Sequence, residues 1–207
     1  MIDHPIKEEK TLFIVKPDGL QRSLVGEIIQ RFERKGLKIA ALKLVFPTKQ
    51  MAEEHYSLLD DAWCEKVGGF IKKAYEENGL KFKFKSELEA GKNVKDKVTT
   101  YLSCGPVVVM VLQGAHAVEH VRKLLGSTDP LKSDIGTIRG DFTIESNLMA
   151  NLFDRTVRNM AHASATVEEA NREIDLWFKP EEIVSYNLAI DEILYDAAWE
   201  KVRSQLI

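Results

Sequence analysis

Gly105-Pro106-Val107-Val108-Val109-Met110-Val111-Leu112 decides the fold of this 207-residue chain. Gly105-Pro106 closes whatever precedes it. The six residues that follow carry no polar side chain. A strand wet on one face would alternate, so an unbroken apolar run predicts a central strand covered on both faces. Working upstream, Lys38 to Phe46 reads as a second strand and Lys49 to Leu59 as helical. Val25, Ile28, Ile29 and Phe32 keep helical spacing before a stop at Gly36. Thr11 to Val15 is a short buried strand, ended by a tight turn at Lys16-Pro17-Asp18-Gly19. Downstream, Ala115 to Leu125 predicts a helix with Val118, Val121 and Leu125 inward, closed by Gly126. A long irregular loop follows, then a last strand over Val157 to His162. Thr166 and Glu169 form a capping box for a helix that buries Val167, Ala170, Ile174 and Trp177.

The alternation of strands and helices predicts an α/β (α+β) class. Its expected form is a ferredoxin-like βαββαβ arrangement with a four-stranded antiparallel sheet and extra helices. A parallel doubly wound sheet is the alternative. Neither GxGxxG nor GxxxxGK[ST] follows the first strand, which speaks against a phosphate loop of those kinds. One domain over residues 1–207 is expected, with insertions near 60–99 and 145–156. In the first of these, Leu80-Lys81-Phe82-Lys83-Phe84-Lys85 alternates as a half-buried strand with one cationic face. A solvated edge strand is the plain reading. A nucleic-acid strip on Lys81, Lys83 and Lys85 is the sharper one, opposed by the interleaved Glu76, Glu77, Glu87 and Glu89.

Composition narrows the function classes. The 29 basic and 32 acidic residues leave a net charge of -3, so no global field points to nucleic acid. No apolar run reaches the ~20 residues of a membrane span. Two distant cysteines, Cys64 and Cys104, and the absence of a leader-like N-terminus suggest a reduced, cytoplasmic setting.

The chemistry lies in three polar segments: Lys16-Pro17-Asp18-Gly19, Gly136-Thr137-Ile138-Arg139-Gly140-Asp141-Phe142 and Arg158-Asn159-Met160-Ala161-His162-Ala163-Ser164. One histidine, a lysine, arginines and no metal-ligand cluster suggest a neutral imidazole attacking phosphorus, with fixed cations around it. His4, His55, His116 and His120 read as surface or packing residues.

These segments, with His55-Tyr56, Ser103-Cys104-Gly105-Pro106 and Glu173-Ile174-Asp175-Leu176-Trp177-Phe178 in this order, resemble the nucleoside diphosphate kinases over most of the chain. The resemblance implies ping-pong transfer of a terminal phosphoryl group from a nucleoside triphosphate to a nucleoside diphosphate, through a phosphohistidine. His162 matches the nucleophile. Lys16, Tyr56, Arg122, Thr128, Arg139 and Asn159 match the positions that bind phosphates and ribose. Ser164 and Glu173 match the pair that orients the imidazole. Mg²⁺ is implied as a cofactor held mainly by nucleotide phosphates, and a homo-oligomer, hexamer or tetramer, is implied as the assembly. A catalytically silent nucleotide-binding or scaffold relative is the alternative, because Ala163 and Ala165 stand where the family has glycine and an acid. If the backbone at 163 needed a positive φ, the Ala163 methyl would strain it. Trp63 and Phe70 are aromatic candidates for stacking on the base. Trp199 to Ile207 extends past the family's usual end. Arg139, placed in an irregular loop, is expected to matter to transfer far more than to stability.

Overall fold

The computed structural model describes residues 5–196 and Trp199. His4 and most of the C-terminal extension, residues 200–207, lie outside the described residues. Four strands make one sheet: β1 (Lys10–Val15), β2 (Lys38–Val45), β3 (Val107–Gln113) and β4 (Ala161–Ala163), in the order β2-β3-β1-β4. Every neighbouring pair is antiparallel, as the ferredoxin-like reading requires. Every residue of β3 is buried, and the reason is a helical layer on each face.

Side chains on a strand alternate between faces. Phe13, Val15, Val108, Met110 and Leu112 pack with α2 (Val25–Arg34) and α6 (Ala117–Leu125). Leu12, Ile14, Val107, Val109 and Val111 pack with α3 (Lys49–His55), α5 (Glu87–Ser103) and α9 (Val167–Trp177). A short helix, α1 (Pro17–Gln21), stands where the sequence suggested only a tight turn; Pro17 occupies its first turn, where a missing N–H costs nothing. Two more short helices, α7 (Ile138–Phe142) and α8 (Asn147–Leu152), interrupt the stretch read as irregular loop. A short helix, α10 (Asp191–Tyr195), follows a segment tied to β2 by Val184 N donating to Ala40 O at 2.8 Å.

Two expected strands are corrected. The last strand covers Ala161–Ala163 and not Val157 to His162. Met160 has φ 62, a left-handed conformation that cannot continue a ladder. Leu80 to Lys85 forms no strand; it is the extended connection between α4 (Asp61–Glu77) and α5. Its alternation is real but has another origin. Leu80, Phe82 and Phe84 pack on Ile71, Tyr75 and Ala90 of the two helices, while the lysines face outward.

Residues 60–99 thus build a helical hairpin. A Cβ on Gly68 would fall 1.8 Å from Glu87 O, and one on Gly91 would fall 1.9 Å from Cys64 O. The helices cross backbone to backbone, and only glycine allows it. Several lysines of this region are paired: Lys72 with Glu87 at 3.1 Å, Lys92 with Asp61 at 3.0 Å, and both Lys83 and Lys97 with Asp154. Of the three lysines in the strip read from the sequence, Lys83 is paired through its side chain, and Asp154 ties residues 145–156 to the hairpin. No helix among the described residues is long and apolar enough to cross a membrane.

Candidate active site

The strand ends β1 and β4 bring the polar segments together. Ile14 pairs with His162 across the sheet, so the histidine sits beside the end of β1 that delivers Lys16. Lys16 N donates to Met160 O at 2.7 Å, and Lys16 Nζ donates to Asn159 Oδ1 at 2.9 Å. Asn159 Nδ2 in turn donates to Thr128 O at 3.0 Å. Lys16 is 6 % exposed. Burial, and then the charge of Arg139, lower its pKa from 10.5 to about 7, with Asp18 opposing. Its ammonium lies 5.4 Å from the centre of the Tyr101 ring, and the Tyr101 hydroxyl donates to Asp18. Burial and that neighbouring carboxylate raise the Tyr101 pKa.

His162 Nε2 lies 2.9 Å from Glu173 Oε1 and 3.0 Å from Oε2. A carboxylate accepts, so Nε2 carries the hydrogen and Nδ1 the lone pair. Ser164 Oγ donates to Glu173 Oε2 at 2.6 Å, which fixes the carboxylate in turn. The His162 side chain keeps 16 % of its surface open, while that of Glu173 is closed off at 1 %. Burial first, and then Lys16, lower the His162 pKa from 6.5 to about 3; Arg139 and Arg122 add to this and Glu169 opposes. The imidazole is neutral across the physiological range. Burial raises the pKa of Glu173, against the hydrogen bond from Ser164 and the charge of Arg172. Burial likewise raises that of the Tyr56 hydroxyl, and the Tyr56 ring stands 6.4 Å from that of His162.

Arg139 differs from its expected setting. It belongs to α7, is 5 % exposed, and spends its donors on the backbone. Nε donates to Asn159 O at 3.1 Å, Nη2 to Ala161 O at 2.7 Å, and Nη1 to Gly126 O and Ser127 O at 3.1 and 3.0 Å. It clamps the loop after α6 to the strand that carries His162. The premise that its charge lies in an irregular loop outside the core does not hold. Burial, then Arg122, lower its pKa to about 10. Arg122 is the opposite case: exposed on α6, its guanidinium makes no hydrogen bond among the described residues. Thr128 is exposed in the loop after α6, its carbonyl held by Asn159.

The structure therefore gathers Lys16, Tyr56, Asn159, Arg139, His162, Ser164 and Glu173 into one network, with Arg122 and Thr128 at its rim. Ala163 lies in β4 and is absent from the left-handed residues, so its methyl meets no backbone strain. Sequence reasoning missed His55. It is 2 % exposed, and its ring stands 4.5 Å from that of His162. The available signal was its place directly before Tyr56. Asp18 and Tyr101 were likewise quoted or passed over without a role. His55, His162 and Glu173 form a group of metal-ligating type, but two imidazoles do not suit Mg²⁺, which prefers oxygen.

The family model for nucleoside diphosphate kinase matches residues 9–62 and 76–183. Residues 63–75, which include Trp63 and Phe70, fall outside that match. The nucleoside diphosphate kinase of Pyrobaculum aerophilum is 46% identical over 180 residues, 85% of this chain and 98% of that protein. The one of Pyrococcus horikoshii is 42% identical over 183 residues, 88% of this chain and 93% of its own length. The solved NDP kinase of Pyrobaculum aerophilum superposes with a TM-score of 0.82 at 43% identity, covering 86% of this chain and all 100% of its own. A transition-state mimic of the Borrelia burgdorferi enzyme, with bound vanadate and ADP, gives a TM-score of 0.74 at 33% identity, covering 91% and 97% of the two chains. A neutral, partly exposed histidine ringed by cations, carried on this sheet by a chain so matched, has one reading: the protein belongs to the nucleoside diphosphate kinase family and is an enzyme that transfers phosphoryl groups between nucleotides.

Proposed function

We propose that the transfer runs ping-pong through His162, from a nucleoside triphosphate to a nucleoside diphosphate. The observation that carries this reading is the engagement of Nε2 by Glu173, which leaves Nδ1 as the free lone pair of a neutral ring. Nδ1 forms a bond to the terminal phosphorus. The bond from that phosphorus to the bridging oxygen breaks, and the diphosphate leaves with the electron pair. The ring gains positive character, which Glu173 stabilises through Nε2–H. The second diphosphate reverses the step.

Lys16 keeps two of its three ammonium donors for phosphate oxygens after bonding Asn159. Arg122 and Thr128 offer open groups at the rim, and Tyr56 flanks the transfer position. Arg139 acts as a fixed charge and as the clamp of the loop, since its donors are committed. Mg²⁺, held mainly by the nucleotide phosphates and water, would supply neutralisation of the charge that develops on the phosphate oxygens. Asp18 and Glu173 are both committed to protein partners, which supports that mode over a carboxylate cage.

Residues 1–207 are proposed as one domain, in the cytoplasm, assembled as a homo-oligomer. Leu42, Leu44 and Phe46 on and just past edge strand β2 are 47%, 65% and 64% exposed, which supports association through that strand. The test of the mechanism is incubation with γ-labelled ATP. An acid-labile, base-stable label lost in His162→Ala is expected, with turnover reduced by at least about 10⁴-fold. A folded His162→Ala protein that keeps the label would overturn the assignment.

A further inference from the structure

Three side chains surround the Glu173 carboxylate. Ser164 holds Oε2, and His162 Nε2 holds Oε1. The third is His55, whose Nδ1 lies 3.5 Å from Oε1. Trp177 decides what His55 can offer. An indole nitrogen only donates, and Trp177 Nε1 donates to His55 Nδ1 at 3.2 Å. Nδ1 therefore carries the lone pair and Nε2 the hydrogen. That Nε2 is buried without a hydrogen-bond partner among the described residues. The other tautomer would point an N–H at Glu173. The fold forgoes that bond and leaves a buried donor unsatisfied, a rare arrangement that calls for a reason. His55 is also neutral: burial, and then His162, Arg172 and Lys16, hold its pKa well below 6.5, against the pull of Glu173.

We propose that Trp177 and His55 are positioning residues for phosphoryl transfer: Trp177 locks His55 so that it presents a lone pair to Glu173, and the carboxylate's charge is left to the Nε2–H of His162. The proposal rests on His162 as the phosphoryl carrier. When Nδ1 bonds phosphorus, the ring becomes positive, and the carboxylate must answer that charge. A second N–H on Oε1 would divide its attention and let it swing toward His55. A facing lone pair repels it back toward His162. The T-shaped contact of the two rings, 80° between planes, holds the His162 ring in the orientation that this bond requires.

The first experiment is nitrogen NMR of the wild-type protein labelled in histidine. Hydrogen on Nε2 of His55 is expected; hydrogen on its Nδ1 overturns the proposal. The second compares variants in single-turnover phosphorylation by ATP. Trp177→Phe frees the tautomer and should slow phosphoenzyme formation on the order of tenfold, as when an outer partner of an oriented imidazole is removed, with the KM for ATP unmoved. His55→Asn keeps an acceptor for the Trp177 N–H near the Nδ1 position and should stay faster than His55→Phe. Equal rates for those two overturn the proposal. Should a variant fail to fold, the wild-type spectrum still decides. A wild-type protein that takes no label would sink the phosphohistidine reading instead, and the tautomer would remain readable.

Discussion

Lys16 and Lys83 are the same residue type in two regions that treat charge differently. Lys16 is buried, holds one side-chain partner, and has its pKa brought down to about 7. Lys83 sits on the hairpin of α4 and α5 with 41% of its side chain exposed, paired with an Asp154 that is itself 66% exposed. At the sheet the environment changes what a charge is; on the hairpin it only changes where a charge points. Desolvated cations around a neutral imidazole are costly until phosphate arrives, which is what a binding site needs. Solvated pairs on the hairpin order its surface and add little.

The sharpest way to break this contrast is Arg139→Ala. It strips four backbone carbonyls of a buried charged donor, and hydrogen bonds to charged groups contribute roughly 1.5–3 kcal/mol each. We expect stability to fall by about 3 kcal/mol or more and turnover to collapse with it. A melting temperature close to wild type would show that the clamp is dispensable. Next is Gly91→Ala, whose new methyl would meet the Cys64 carbonyl. It should cost about 2 kcal/mol, concentrated in the hairpin: amide exchange should rise in α4 and α5 and stay slow in β1 and β3. Uniform exchange across both regions would erase the distinction.

Lys16→Met should remain within about 1 kcal/mol of wild type at pH 7 while losing turnover, because a buried charge seldom stabilises. The pH dependence follows in sign. Between about 7 and 10.5 the unfolded chain holds more protons at Lys16 than the folded one, so wild-type stability rises with pH there. The methionine variant should lose ground to wild type across that window. His162 acts likewise lower down, where stability falls as pH drops below 6.5 toward about 3. Thermal melts at several pH values check both. The smallest effect belongs to Asp154→Asn, which weakens two exposed pairs. Less than about 1 kcal/mol and unchanged kcat are expected; a large loss of kcat would mean that the hairpin speaks to the site through Asp154.

The sheet was readable from the sequence where the signal is local and unambiguous. Val107 to Leu112 announces a strand buried on both faces, and β3 is that strand with one residue added. Leu80 to Lys85 carried an equally clear period of two, yet no ladder formed. Alternation reports which side chains are buried; it says nothing about whether a second strand lies alongside. The end of the β4 region was misjudged because Met160 turns into a left-handed conformation that no apolar pattern encodes. Within the site, residue types were legible and their partners were not. Arg139 and Arg122 look alike as letters, but one is locked to carbonyls and the other stands open. His55 looked like packing because its contacts come from Trp177 and Glu173, more than a hundred residues away in the chain.

The crossing at Gly68 and Gly91 constrains how this arm can vary in length. Residues 68 and 87 meet, and so do 64 and 91, which is the signature of two helices running in opposite directions. Each residue added to one helix extends it by about 1.5 Å. A turn gained by α4 therefore has to be matched by a turn gained on α5, or the tip connection is left overhanging. Diversity in this part of the molecule should come in paired steps, with the sheet beneath untouched.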